Sequence, residues 1–219
     1  LGPTRVPSWE RPPRDVLAAL TIGALCNEAE LRRSRSGELD AFGDPTETAL
    51  LIAAARFGLD KARLLASHDV VQKYPFDSFR KRMSVVVSPG LSGRYSLYTK
   101  GAPEAVIERC GFALVGGEVR PLRERERRQI RAAVEEMAAS ALRVLALAMR
   151  ALDRHELKGD VSEIESQLVF AGMVGIADPP RPEAIAAVAK ARRAGVRTIM
   201  ITGDHPATAL AVGAELGLI

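Results

Sequence analysis

The stretch Lys100-Gly101-Ala102-Pro103-Glu104 combines what an anion needs. A lysine supplies a point charge, a glycine lets a ligand approach the backbone, and a proline-opened helix start offers unpaired N–H groups. The same residues also describe an ordinary strand-to-helix turn with a surface lysine. A second stretch, Phe76-Asp77-Ser78-Phe79-Arg80-Lys81-Arg82-Met83-Ser84, places an aromatic ring before consecutive cations. A purine could stack on that ring with its phosphates near the cations; taken alone, the stretch reads more simply as a core phenylalanine followed by a basic turn. In Asp44-Pro45-Thr46-Glu47, Glu47 could close a capping box or accept a hydrogen bond from an adenine amino group. Thr202-Gly203-Asp204 follows an apolar segment and precedes a helical one, the place where ligands sit in open parallel sheets. An aspartate there could assist magnesium or phosphate chemistry, or simply cap the helix.

The elements that must position these residues can be read from periodicity. A helical pattern runs from Asp15 through Leu17, Leu20, Ala24 and Leu25. A polar loop follows over 32–43. Asp44 as N-cap and Pro45 at the first helical position start a second helix that ends near Phe57-Gly58. Segments 70–74, 83–87 and 95–99 are rich in valine and tyrosine and read as strands. Pro103 opens a short helix ending near Cys110-Gly111, and Gly116-Gly117 suits a hairpin. A long helix places Ile130, Val134, Met137 and Ala141 on one face, and 143–149 reads as a strand. The tail changes rhythm: strand 169–176, a break at Asp178-Pro179-Pro180-Arg181-Pro182, helix 183–194, strand 196–201 and helix 206–216. Strand, helix, strand, helix is the pattern of a parallel α/β unit, and two such strands are too few for a stable sheet.

Composition narrows the class. Of 219 residues, 47% are hydrophobic and 26% charged, which suits a folded domain with a solvated surface. No apolar run approaches the roughly 18 residues that span a bilayer, and the proline-rich start over 1–13 does not resemble a secretory signal. The two cysteines, Cys26 and Cys110, form no disulfide framework and lack metal-site spacing; scattered His68, His155 and His205 add no metal cluster. Reduced thiols and a soluble chain are the expectation. The net charge of +4 would suit a polyanion. The densest basic stretch, 120–131, is interleaved with Glu124 and Glu126 and carries no aromatics, which favours a solvated helix face over a nucleic-acid contact.

Taken in order, these motifs resemble the P-type ATPases. The resemblance runs from Ala24-Leu25-Cys26-Asn27 through Gly43-Asp44-Pro45-Thr46-Glu47, the Phe76 to Ser84 stretch, Lys100 to Glu104, Leu142-Arg143-Val144-Leu145-Ala146, Asp178-Pro179-Pro180-Arg181 and Met200-Ile201-Thr202-Gly203-Asp204. The long Phe76 block and Cys26-Asn27 are most similar to the type II, calcium-pump-like group. The resemblance implies that Phe76 stacks on adenine with Glu47 at its edge, and that Lys81 and Lys100 line the pocket. It implies that Gly101 permits close approach of the nucleotide and Arg143 reaches the phosphates. Asp178 would sit at a hinge, and Thr202, Gly203 and Asp204 would support the phosphorylation site. ATP, with magnesium, is the implied ligand. Animal calcium pumps carry an arginine two residues after the stacking phenylalanine; the uncharged Ser78 stands there here.

The chain contains neither the family's Asp-Lys-Thr-Gly-Thr motif nor its Gly-Asp-Gly-x-Asn-Asp motif. The resemblance therefore implies a pump enzyme whose phosphorylated aspartate lies outside this sequence, which would start after the first motif and stop before the second. The expected fold is an α+β nucleotide-binding domain over 1–168, mainly an antiparallel sheet flanked by helices. An incomplete Rossmann-like phosphorylation-domain fragment is expected over 169–219. The expected setting is the cytoplasmic face of a cell membrane. The remainder of the pump would be its partner, with no nucleic acid; the piece itself would be monomeric, or dimeric through its incomplete tail. A free-standing phosphatase-like enzyme and a basic nucleic-acid- or lipid-binding module are the alternatives.

Overall fold

The computed structural model describes residues 12–33, 39–88, 93–140, 142–177, 180–202 and 206–219. Its centre is a seven-stranded sheet in the order β3-β4-β5-β8-β9-β6-β7. The strands are β3 (Val70–Asp77), β4 (Arg82–Val87), β5 (Tyr95–Gly101), β6 (Cys110–Val115), β7 (Glu118–Pro121), β8 (Leu142–Leu152) and β9 (Leu168–Ala177). Neighbours pair antiparallel except β6 with β9. A separate pair, β1 (Glu30–Arg33) and β2 (Leu39–Phe42), lies where a polar loop is expected.

Alternation along β8 explains how the sheet is covered on both sides. Leu147 and Ala171 of β9 pack with Ile22 of α1 (Arg14–Leu25). Ala146 and Ala148 point the other way. They join Val106 and Ile107 of α4 (Pro103–Ile107), with Ile130 of α5 (Glu124–Ala139) packed against that cluster. Helix α2 (Pro45–Arg56) lies against α1 through Leu20, Ala24, Leu51 and Ala54. Two short helices, α3 (Lys61–Ser67) and α6 (Val161–Ile164), complete this body. The hairpin expected at Gly116-Gly117 is present, both glycines having positive φ, and the Asp15 carboxylate accepts hydrogen bonds from both amides.

The tail departs from expectation. The strand expected over 169–176, at the start of a separate unit, is β9, held between β8 and β6 in the main sheet. Segment 196–201, expected as its parallel neighbour, is not a strand. Both sides of β9 are already paired, so 196–201 cannot bond beside it as a parallel neighbour. Among the described residues the tail therefore contributes no second parallel strand, and the expected Rossmann-like fragment is not confirmed. After β9 come α7 (Pro182–Arg193) and α8 (Pro206–Glu215), and α8 touches the body at α5. No described helix is long and apolar enough to cross a membrane.

Candidate functional site

The site is built at one end of strands β3, β4, β5 and β8. Pro75 sits on the edge strand β3, where a missing N–H is tolerated. The β3–β4 register shifts between Tyr74 and Asp77, and Phe76 falls in that irregularity. The ring is left 66% exposed. Asp77 then turns the chain, its carboxylate accepting from the amides of Phe79 (3.0 Å) and Arg80 (2.8 Å). Lys81 closes the turn with φ 51°, a left-handed conformation unusual for a side-chain-bearing residue.

Gly101 lies directly across from this turn, paired in register with Arg82. A Cβ there would meet the Lys81 carbonyl oxygen and come within 2.6 Å of the Arg82 Cβ and 2.7 Å of its Cα. The Ala102 amide donates to the Lys81 carbonyl at 2.9 Å. In this structure the space that glycine provides is filled by the turn's own backbone.

Lys100 is 7% exposed and forms an ion pair with Glu47 Oε1. The other carboxylate oxygen of Glu47 accepts from the amides of Glu28 (2.8 Å) and Ala29 (3.1 Å). Glu47 therefore does not close a capping box; Asp44 caps α2 alone, accepting from Thr46 N at 2.8 Å and Glu47 N at 3.4 Å. Asn27 braces the same corner by donating to the carbonyls of Gly23 (3.0 Å) and Glu47 (2.9 Å). Lys61 donates to the carbonyls of Asn27 (2.7 Å) and Ala29 (2.8 Å), and its burial pushes the ammonium below its usual pKa. Cys26 is buried next to this corner, and burial pushes its thiol up to about 12.

Arg143, at the start of β8, donates to Thr46 Oγ at 3.2 Å, which ties β8 to the first turn of α2. Partial burial would raise the Asp44 carboxyl, but the Thr46 and Glu47 amides and the Arg143 charge outweigh it and hold it below the usual value. Of the three cations after Phe76, Lys81 is the most open to solvent, in a loose 3.4 Å pair with Glu104. Arg80 and Arg82 turn inward to Glu165, which is fully buried. Both guanidinium groups are therefore engaged beneath the turn, away from the exposed Phe76 ring.

The structure thus gathers Glu47, Phe76, Lys81, Lys100, Gly101 and Arg143 at one end of the sheet. Thr202 lies in the tail, beyond the sheet; Asp178, Gly203 and Asp204 lie outside the described residues. A tail cleft of about 710 Å³, lined in part by Val188, Ile199, Met200, Leu210 and Ile219, includes none of the gathered residues. Sequence reading missed Asn27 and Lys61 as braces, and it missed Glu165 altogether.

The sequence that builds this arrangement resembles known proteins. Residues 15–183 match the family model described as the P-type ATPase cytoplasmic domain N, and the chain belongs to that family. A sodium/potassium exporting P-type ATPase of Schizosaccharomyces pombe is 42% identical over 213 residues, 95% of this chain and 20% of the relative. A calcium-transporting ATPase of Bacillus subtilis is 38% identical over 200 residues, 91% of this chain and 22% of the relative. A calcium-transporting ATPase of Lactococcus lactis is 33% identical over 200 residues, again 91% and 22%. The chain spans about a fifth of the length of the curated relatives it matches.

Proposed function

We propose that this chain binds ATP as the cytoplasmic nucleotide-binding domain of a P-type cation-transporting ATPase. It would present the nucleotide to a phosphorylatable aspartate elsewhere in the pump. The observation that carries the reading is the exposed Phe76 ring beside a wall of fixed charge. A stacking ligand would cover an aromatic surface that the fold leaves open. Lys100 and Glu47, held in place by the Glu28 and Ala29 amides, offer one donor and one acceptor group at a nearly dry position. Lys81 and Arg143 supply exposed cations on either side. Magnesium would arrive on the ATP phosphates.

The ion moved by the whole pump, with calcium as first choice, is part of this proposal, as is its place at the cytoplasmic face of a membrane. So are the remaining pump domains as partners and the supporting roles of Asp178, Thr202, Gly203 and Asp204 at a hinge and phosphorylation site. The division of the chain is likewise proposed. A boundary at 168/169, expected from the change of rhythm, would cut the main sheet, so β9 argues for a boundary after Ala177.

Titration with a fluorescent ATP analogue tests the reading. Phe76→Ala should weaken binding about tenfold or more, from the loss of stacking, while leaving the melting temperature nearly unchanged. Lys100→Ala should weaken binding and also lower the melting temperature, because Glu47 loses its buried partner. Wild-type affinity in both variants would refute the site.

A further inference from the structure

The Phe76–Lys81 turn is secured from below by a carboxylate that belongs to a distant part of the chain. Glu165 follows α6 and is completely buried. Its Oε1 accepts from Arg80 Nη1 at 2.6 Å and from Ser84 Oγ at 2.6 Å; its Oε2 accepts from Arg82 Nε at 2.7 Å. Ser84 is in turn hydrogen-bonded to Thr99 of β5 at 2.8 Å. The two arginines do more than neutralise the carboxylate. Arg80 Nη2 donates to the Pro75 carbonyl at 2.7 Å, on the strand entering the turn. Arg82 Nη1 donates to the Arg80 carbonyl at 3.0 Å, on the side leaving it. The turn is thus clasped at both ends, immediately before Phe76 and around Lys81. The Tyr74 hydroxyl is buried nearby without a hydrogen-bond partner, and its pKa is raised by burial and by the Glu165 charge, with Arg80 opposing.

We propose that Glu165 is the positioning residue of the nucleotide site: through Arg80 and Arg82 it fixes the turn that presents Phe76 and Lys81. This rests on the reading that Phe76 and Lys81 hold ATP. The physical argument is pre-organisation. A buried carboxylate with three charge-assisted or hydroxyl donors has one arrangement that satisfies it. Removing its charge leaves two guanidinium groups that must seek water, and the shortest route is for the turn to lift. Apparent affinity falls with the fraction of molecules in which the turn is down. If that fraction drops to about a tenth, the dissociation constant rises about tenfold.

The test compares the wild type with Glu165→Gln, Arg80→Gln and a control, Ile22→Ala. Ile22 packs against Leu147 and Ala171 and takes no part in the turn. Brief trypsin treatment with mass-spectrometric mapping reports the turn without any nucleotide. Fluorescent-ATP titration reports the site, and melting curves report global stability. In Glu165→Gln, cleavage after Arg80 or Arg82 should appear ahead of all other new cuts, with about a tenfold loss of ATP affinity. In Arg80→Gln, which removes only the partly exposed arm of the clasp, cleavage after Arg82 should appear with a smaller loss. Ile22→Ala should melt earlier while keeping turn protection and affinity. If Glu165→Gln cannot be folded, Arg80→Gln decides alone. Wild-type affinity and protection in Arg80→Gln, or cuts spread evenly as in the control, would overturn the proposal. Absence of ATP binding by the wild type would instead refute the function, while the cleavage pattern would still judge Glu165.

Discussion

Segments 168–177 and 196–201 are both short, apolar and rich in valine or isoleucine, yet they meet opposite fates. The first is β9, bonded on both edges, with Leu168 fully buried. The second is not a strand, and Ile199 and Ile201 stand 72% and 94% exposed. The difference lies in what surrounds each segment. A strand exists when a neighbour supplies its hydrogen bonds and a helix covers its face. β9 finds β8, β6 and α1; segment 196–201 pairs with no strand among the described residues. An apolar run records a capacity to pair, and the rest of the chain decides whether it is used.

The comparison predicts unequal sensitivity to mutation. Leu147 on β8 is fully buried between Ile22 and Ala171. Leu147→Ala should cost about 2–5 kcal/mol, because neighbours fixed in a sheet relax poorly into the gap. Urea unfolding measures it. A loss below about 1 kcal/mol would mean that the body is packed no more tightly than the tail.

The same contrast shows how much was legible. Strands β3, β4 and β5 were readable from valine and tyrosine between turn residues, and β8 and β9 from their apolar runs. Helix α2 was readable because Asp44-Pro45 has one structural meaning. β1 and β2 were not: four-residue strands of mixed polarity such as Glu30–Arg33 carry no period. Among site residues, Phe76, Lys100, Glu47 and Arg143 could be named from motif order and resemblance, but their pairings could not. Glu47 looked like the partner of Asp44 three positions away, and its carboxylate went to Lys100 and to the Glu28 and Ala29 amides instead. Glu165 lies 83 positions from Arg82 and sits in a polar loop sequence, so nothing local marks it. The role of Gly101 was half visible: close approach was expected, but the approaching group here is the Lys81 backbone.

Between the body's core and its tail lies an intermediate case, the exposed start of α2. Asp44 caps that helix with two amide hydrogen bonds. Asp44→Ala should cost about 1 kcal/mol at neutral pH, small beside Leu147→Ala. The folded pKa of Asp44 lies below its ordinary value of 3.8. Its charge therefore contributes fully above that value, and the contribution fades as pH falls through the folded value. The wild-type and variant stabilities should converge at low pH. A gap that persists unchanged in acid would assign the effect to the side chain's shape and not to its charge.

The smallest effect is expected at Ile201. Its side chain is almost wholly solvated, so replacing it with serine removes no buried area and opens no cavity. Ile201→Ser should leave stability within about 0.5 kcal/mol of the wild type and ATP affinity unchanged. Serine should also make the chain more soluble, since Val196, Ile199 and Ile201 form an exposed apolar run. Urea unfolding and sedimentation at several protein concentrations measure both. A destabilisation comparable to that of Leu147→Ala would show that segment 196–201 is covered in solution. If that cover came from a second copy of the chain, the loss would grow on dilution as the copies separate.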